Sequence, residues 1–229
     1  MRRVVTTRAG GSSAPPYATF NLGRSVGDDP VAVVANRQRL ATSLGLAPDR
    51  LVWMRQVHGA AVHVVDAPGR LPTGDGLVTT QRRLALVALA ADCVPVLLAD
   101  PVAGVVGAAH AGRRGAAAGI ATATLHAMTR LGGDPARIDV LLGPAVCGAC
   151  YEVPAALRDE IEAALPGSAT TTQHGTPGLD LRAGLAGQLR AAGVATVVVD
   201  PACTMEDERF YSYRRDGVTG RFAGVVWLP

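Results

Sequence analysis

Residues Ala91–Gly115 read ADCVPVLLADPVAGVVGAAHAGRRG. Two apolar runs, Val94–Ala99 and Val102–Ala109, are separated by Asp100 and Pro101, and their length and Val/Leu/Ala content predict two strands. Each carries one reactive side chain at an end, Cys93 before the first and His110 after the second. Glycine and a pair of arginines, Arg113 and Arg114, follow at once, where the chain turns toward a helix.

Working outward, the pattern predicts a helix from Pro30 to near Leu44, with Pro30 at its first position and Gly45 as its stop. Strands are predicted at Leu51–Gln56, Ala61–Asp66, Gly76–Thr80 and Leu84–Ala91 before the quoted stretch. A long helix over Arg114–Leu131 follows it, closed by Gly132 and Gly133. Then come a strand at Ile138–Leu142, helices near Pro154–Leu165 and Leu179–Ala192, and strands at Ala195–Val199 and Arg221–Leu228. Strands arrive in runs rather than in strict alternation with helices. That predicts an α+β fold of mixed sheets flanked by helices, formed as one domain over residues 1–229.

The 229 residues are 48% hydrophobic and 18% charged, enough apolar surface for a full core and unlike a disordered chain. The longest apolar run, LALVALAA, ends at Asp92, far short of a membrane span, and no signal peptide follows the two arginines near the N-terminus. The expected location is the cytoplasm, with no membrane partner. All 22 basic residues are arginine. The missing lysine excludes Schiff-base catalysis and a Walker-type phosphate loop. No basic run is interleaved with aromatics, so the net charge of +3 does not imply a nucleic-acid partner.

His58 in QVHG, Cys93 in ADCVPV and His110 in AAHAG each stand at a strand end beside turn residues, 35 and 17 residues apart. Such spacings exclude a zinc finger and suit a site assembled where neighbouring strands end. Two imidazoles and a thiolate would leave one tetrahedral position open, the arrangement of catalytic zinc. A Cys93 nucleophile with His110 as its base is the alternative chemistry, and a lone Cys or His is also common as a packed residue. The turn through Gly112 into a helix, with Arg113 and Arg114, offers an anion site or an ordinary helix start.

Four cysteines in a cytoplasmic chain point to thiols or metal ligands rather than disulfides. CGAC, Cys147–Cys150, is a single C-x-x-C between a strand and a helix; a structural zinc would need two more ligands, and a redox pair is the weaker alternative. His63 lies within a β-like run and is expected to be structural. His126 in a helix and His174 in a polar loop take no role. RFYSYRRDGVTGR, Arg209–Arg221, is either a solvated hairpin or a substrate-facing loop.

Taken in order, NLGRSVGDDP, QVHG, ADCVPVLLAD, AAHAGRRG, GPAVCGACYEV and YSYRRDGVTGR resemble the YfiH-type family, also called multicopper polyphenol oxidoreductase, laccase-like or purine nucleoside phosphorylase. The resemblance runs from about Asn21 to Arg221. It implies mixed sheets flanked by helices, a fold likened to cysteine hydrolases, and a catalytic metal, usually zinc, on His58, Cys93 and His110. The implied activities are phosphorolysis of adenosine, inosine, guanosine and methylthioadenosine, and hydrolytic deamination of adenosine. Two departures stand out. The family's HAGWRG carries Arg113 in place of Trp, with Arg114 matching the family arginine, and GPCCYEV becomes CGACYEV, keeping Cys150.

The sequence therefore predicts a zinc-dependent purine nucleoside enzyme, a monomer or weak homodimer. Phosphate is placed near Arg114, with Asn21, Gln56 and Arg214 completing the substrate site. Its rivals are a Cys93–His110 amide hydrolase acting on a peptidoglycan precursor, a copper oxidase of phenols, and a nucleoside-binding protein without turnover. Copper ranks last because a multicopper oxidase needs a His-rich cluster to reduce O2, and the chain has five histidines.

Overall fold

Val94–Asp100 and Val105–Ala111 form an antiparallel pair in which Val94 faces Ala111 and Pro95 faces His110. The register alone brings Cys93, one residue before the first strand, beside His110 at the end of the second. Residues 101–104 make the turn between them, so the second strand starts at Val105 rather than at Val102, whose side chain is exposed.

The computed structural model describes residues 1–229. In chain order its elements are β1 (Arg2–Val5), α1 (Pro30–Ser43), β2 (Leu51–Val52), β3 (Val62–Val64), β4 (Gly76–Thr79), β5 (Ala85–Ala90), β6 (Val94–Asp100), β7 (Val105–Ala111), α2 (Arg113–Ala117) and α3 (Ile120–Thr129). These are followed by β8 (Asp139–Leu142), α4 (Ala155–Ala164), β9 (Ala169–Thr171), β10 (Pro177–Leu179), α5 (Leu181–Ala191), β11 (Thr196–Val199), α6 (Tyr213–Asp216) and β12 (Phe222–Trp227). One sheet has the order β11-β8-β6-β7-β4-β3, a second has β1-β12-β5-β2, and β9 and β10 form a separate hairpin. Both larger sheets are mixed, with β8–β11, β3–β4 and β2–β5 parallel and the other pairs antiparallel.

The two sheets pack face to face. On β6, Leu97 and Ala99 point inward to meet Leu86 and Ala88 of β5 and Val226 of β12. The alternate residues Val96 and Leu98 point outward, against Ile120, Leu125 and Met128 of α3 and Leu185 and Leu189 of α5. On the far side, Ala85, Val87 and Val225 pack under Leu40 and Ala41 of α1. The layers are thus helix, sheet, sheet, helices. Strands covered on both faces need apolar side chains at every position, which is why β5 to β7 read as unbroken apolar runs rather than alternating ones.

Asp29 caps α1 by accepting from the Val31 amide, and Pro30 takes the first helical position, where its missing N–H costs nothing. The single long helix expected over Arg114–Leu131 is two. Gly119 adopts φ +80°, in the left-handed region that breaks a helix, and separates α2 from α3. The strand expected over Leu51–Gln56 shrinks to β2, which frees Trp53 to Gln56 to line a cleft. The Arg209–Arg221 segment forms α6, capped by the Ser212 hydroxyl, instead of a hairpin.

Leu97 is fully buried between the sheets, whereas Val198 on the edge strand β11 is half exposed. Leu97→Ala is expected to lower unfolding free energy by about 2–5 kcal/mol. Val198→Ala is expected to change it by less than about 1 kcal/mol. Denaturant titration at unchanged m-value measures both.

Candidate active site and metal centre

Asp75 sits between two glycines at the start of β4 and is fully buried. Its carboxylate accepts the backbone N–H groups of Val57, His58 and Gly59 at 2.8–3.2 Å, and its carbonyl accepts the His110 amide at 2.8 Å. The three successive amides wrap a loop around one anion, a backbone nest. They hold His58 at φ +60°, an uncommon conformation for a residue with a Cβ. Asp75 Oδ1 also lies 2.8 Å from His110 Nδ1. Burial pushes this carboxyl up, but the bond to His110 and the Gly59 and Val57 amides bring it below its ordinary value. The ionised carboxylate accepts, so the hydrogen-bond network assigns a proton to Nδ1 and turns Nε2 toward Cys93.

A second aspartate presents Cys93. Asp92 has φ +88°, and its two carboxylate oxygens accept from the Thr204 hydroxyl at 2.8 Å and the Arg214 amide at 2.7 Å. Its carbonyl accepts the Val146 amide at 3.1 Å. These bonds offset a backbone strain of roughly 1–3 kcal/mol.

The donor atoms of His58, Cys93 and His110 all lie within 4.8 Å of one another, with Cys93 Sγ 3.9 Å from His58 Nε2. The two imidazoles meet edge to face at 4.7 Å between centroids. Tetrahedral bonds to N and S ligands place such atoms about 3.4–3.6 Å apart, so the Cys93–His58 pair at 3.9 Å stands within tenths of an ångström of that spacing. A Cβ on Gly112 would stand 2.7 Å from His58 Cδ2 and 3.0 Å from Cys93 Sγ, so only glycine lets the backbone pass this close.

Burial opposes ionisation of the Cys93 thiol, but the charge of His110 and hydrogen bonds from both histidines bring it down from 9.0 to about 6. Burial likewise opposes charge on His110, yet the Cys93 charge and the Asp75 hydrogen bond raise it from 6.5 to about 9. An alternating row of carboxylate, imidazolium and thiolate results. Elsewhere the opposite holds: burial first, then the neighbouring thiols, pushes Cys147 and Cys150 up. Cys93 is the cysteine poised as a thiolate.

The cluster opens on a cleft of about 1030 Å³. Seven arginines and two aspartates, Asp49 and Asp92, line it, which makes it cationic. Arg37 lies 3.7 Å over the Trp53 ring and Arg214 lies 5.0 Å over Tyr151. Gln56 lines the cleft with both ends of its amide held by the Leu89 backbone. Arg113 also lines it, while Arg114 is exposed and stands outside the lining. Asn21 is fully buried outside the lining, where its Oδ1 accepts the Gly23 and Arg221 amides. It reaches the cleft through Arg221. His63 bonds the Thr73 carbonyl from β3, and neither it nor His126 or His174 joins a metal-ligand group.

Residues 2–229 match the model of one family, described as multi-copper polyphenol oxidoreductase laccase. The chain belongs to that family. It is 59% identical over 230 residues to a protein of Mycobacterium tuberculosis named purine nucleoside phosphorylase, covering 100% of this chain and 92% of the relative. A protein of the same description from Corynebacterium glutamicum is 56% identical and is covered to 95%. Among solved structures, YlmD from Geobacillus stearothermophilus superposes with a TM-score of 0.91 at 38% identity, over 99% of this chain and 92% of that one. The hypothetical protein YfiH of Bacillus licheniformis gives 0.91 at 34% identity, over 98% and 91%.

Asp75, Asp92, Arg37 with Trp53, and Arg221 were not singled out by motif reading. The Gly-Asp-Gly at 74–76 was visible only as a turn before a strand. Asp75→Asn is expected to weaken metal binding by about 10–100-fold with the fold retained, as outer carboxylates do, measured by competition with a chromophoric chelator. After chelation, Cys93 is expected to react with iodoacetamide along a curve with its midpoint near pH 6, since a lowered pKa keeps the thiolate at neutral pH. A midpoint near an ordinary thiol, about 8.5, would remove the thiolate–imidazolium pair.

Proposed function

We propose that the chain is a zinc-dependent purine nucleoside phosphorylase acting on adenosine, inosine, guanosine and methylthioadenosine, which also deaminates adenosine. The observation that carries this is the N,N,S donor cluster at the base of an arginine-lined cleft. The relatives' name, purine nucleoside phosphorylase, supports a purine nucleoside and phosphate as the substrate class.

Two imidazoles, one thiolate and a carboxylate behind one imidazole match the donors and outer shell of catalytic zinc. His58, Cys93 and His110 would hold it, with Asp75 fixing two of the three. When bound, zinc supplies a Lewis acid at an open coordination position. In phosphorolysis a phosphate oxygen bonds to ribose C1′ as the bond from C1′ to the purine nitrogen breaks, and the base leaves with a proton taken from phosphate or solvent. Arg113, Arg214 and Arg221 present planar guanidinium groups to that phosphate, with Arg114 adding charge from outside the lining. Asn21 positions Arg221, and Gln56 fixes the edge of β5 beneath the ribose. Trp53 and Tyr151 offer faces for the purine. In deamination, water adds at C6 and ammonia leaves.

A second reading draws on the row Asp75–His110–Cys93, the order of a cysteine hydrolase triad. It makes Cys93 the nucleophile toward an amide, as in a peptidoglycan precursor. Copper oxidation of phenols draws no support from the three remaining histidines, which stand apart from the cluster.

Incubating the zinc-loaded protein with inosine is expected to release hypoxanthine only when phosphate is present, and Cys93→Ala is expected to abolish release. Arg214→Gln is expected to raise the KM for phosphate roughly 10–100-fold, since a hydrogen bond to a charged group contributes about 1.5–3 kcal/mol. Phosphate-independent turnover of an amide that survives chelation but not alkylation would replace this reading with the hydrolase.

A further inference from the structure

The C-x-x-C at Cys147–Cys150 lacks two ligands by itself, and the fold supplies them. Cys203 and Glu206 lie against it, and the donor atoms of all four residues fall within 4.8 Å of one another. Both pairs have the same local construction. In the first, the Cys150 and Tyr151 amides return to the Cys147 carbonyl at 3.0 and 2.9 Å. In the second, the Glu206 and Asp207 amides return to the Cys203 carbonyl at 3.1 and 2.8 Å. Two turns, each with donors at its first and fourth residues, therefore face each other, which is how zinc ribbons gather four ligands from two short segments.

Two further observations point to a ligand. The Cys147 amide donates to Cys203 Sγ at 3.4 Å, a bond that favours thiolate sulfur. Cys150 and Cys203 are buried among Val146, Tyr151 and Met205, an apolar surround of the kind that shields a metal from water, while Glu206 reaches in from the exposed side. A disulfide would join two of the sulfurs and leave the third, and the carboxylate, without a use.

We propose that Cys147, Cys150, Cys203 and Glu206 form a second metal site, separate from the His58–Cys93–His110 cluster, that takes a thiophilic divalent ion of the zinc class. All four tetrahedral positions are filled by protein, so the ion is structural and has no open position for substrate. The three thiols give up their protons to solvent as they ligate. The site also has a job within the fold. The Val146 amide bonds the Asp92 carbonyl, the Thr204 hydroxyl bonds the Asp92 carboxylate, and the Thr204 amide bonds the Ala145 carbonyl. An ion joining the two turns thus clamps the segments that hold Asp92 at positive φ and so present Cys93.

The test is metal content per chain, on full-length protein purified under reducing conditions and equilibrated with zinc. The expected stoichiometry is two for the wild type, one for Cys93→Ala, one for Cys203→Ser and none for the double variant. Cobalt titration of Cys93→Ala provides a readout that does not depend on Cys203→Ser folding. With Cys93 gone, an intense thiolate-to-cobalt charge-transfer band is expected at one equivalent, and Glu206→Gln is expected to weaken cobalt binding while keeping the band. A Cys93→Ala protein that holds no zinc and gives no such band would overturn the proposal. So would a disulfide among Cys147, Cys150 and Cys203 in the wild-type protein.

Discussion

One buried carboxylate organises the centre of the molecule. A charge with no exposed surface is tolerated only when its lone pairs are filled, and Asp75 fills them with three consecutive amides and an imidazole. The same bonds fold the loop that carries His58 and orient the ring of His110. Two candidate ligands from segments more than fifty residues apart are thereby tied to one side chain, and through β4 to the six-stranded sheet. Neutralising Asp75 would leave the loop amides as weakly paired buried donors and free the His110 ring to choose its tautomer. Stability and site chemistry therefore depend on the same contacts.

The third ligand is placed by strand register. β6 runs out and β7 runs back, so the residue before the first and a residue near the end of the second become neighbours although 17 positions separate them. A one-residue slip would turn His110 to the opposite face of the sheet. Burial on both faces prevents it, because Leu97 and Ala99 fit the inter-sheet core while Val96 and Leu98 fit the helix-facing one. The four-layer packing is thus a condition of the donor-atom geometry as much as of stability.

That pairing explains what was legible in the sequence. Cys93 and His110 bracket two apolar runs of similar length, so their approach follows once the runs are read as a hairpin. Helix α1 was legible from Pro30 and Gly45, and the mixed α+β class from the clustering of strands. The three-ligand cluster could be guessed because thiol and imidazole are scarce among so many alanines and valines. Asp75 could not, since an aspartate between glycines reads as a turn, and only long-range folding shows that its carboxylate faces inward. The split between α2 and α3 turns on the left-handed backbone of Gly119, which a helical pattern passes over. Arg113 and Arg114 differ by one position, and helix phase, which motif reading does not resolve, decides which one meets the cleft. The partners of the C-x-x-C were hidden for a similar reason: Cys203 is 56 residues from Cys147, and the two segments meet through a parallel bridge between Ala145 and Cys203 and the Cys147 amide bond to Cys203 Sγ.

The arginines of the cleft bear on which chemistry the centre serves. A neutral nucleoside needs stacking faces and hydrogen bonds, and gains little from a surplus of guanidinium groups. An oxyanion held beside it does need them. Arg37 and Arg214 lie over Trp53 and Tyr151, so each of these rings in the cleft lining already carries a cation on one face. In that setting Arg113, standing where the resembled motif HAGWRG has tryptophan, adds charge to a cleft that retains other aromatic surfaces. The exchange makes the cleft wall more cationic, while Trp53 and Tyr151 keep aromatic surface in it.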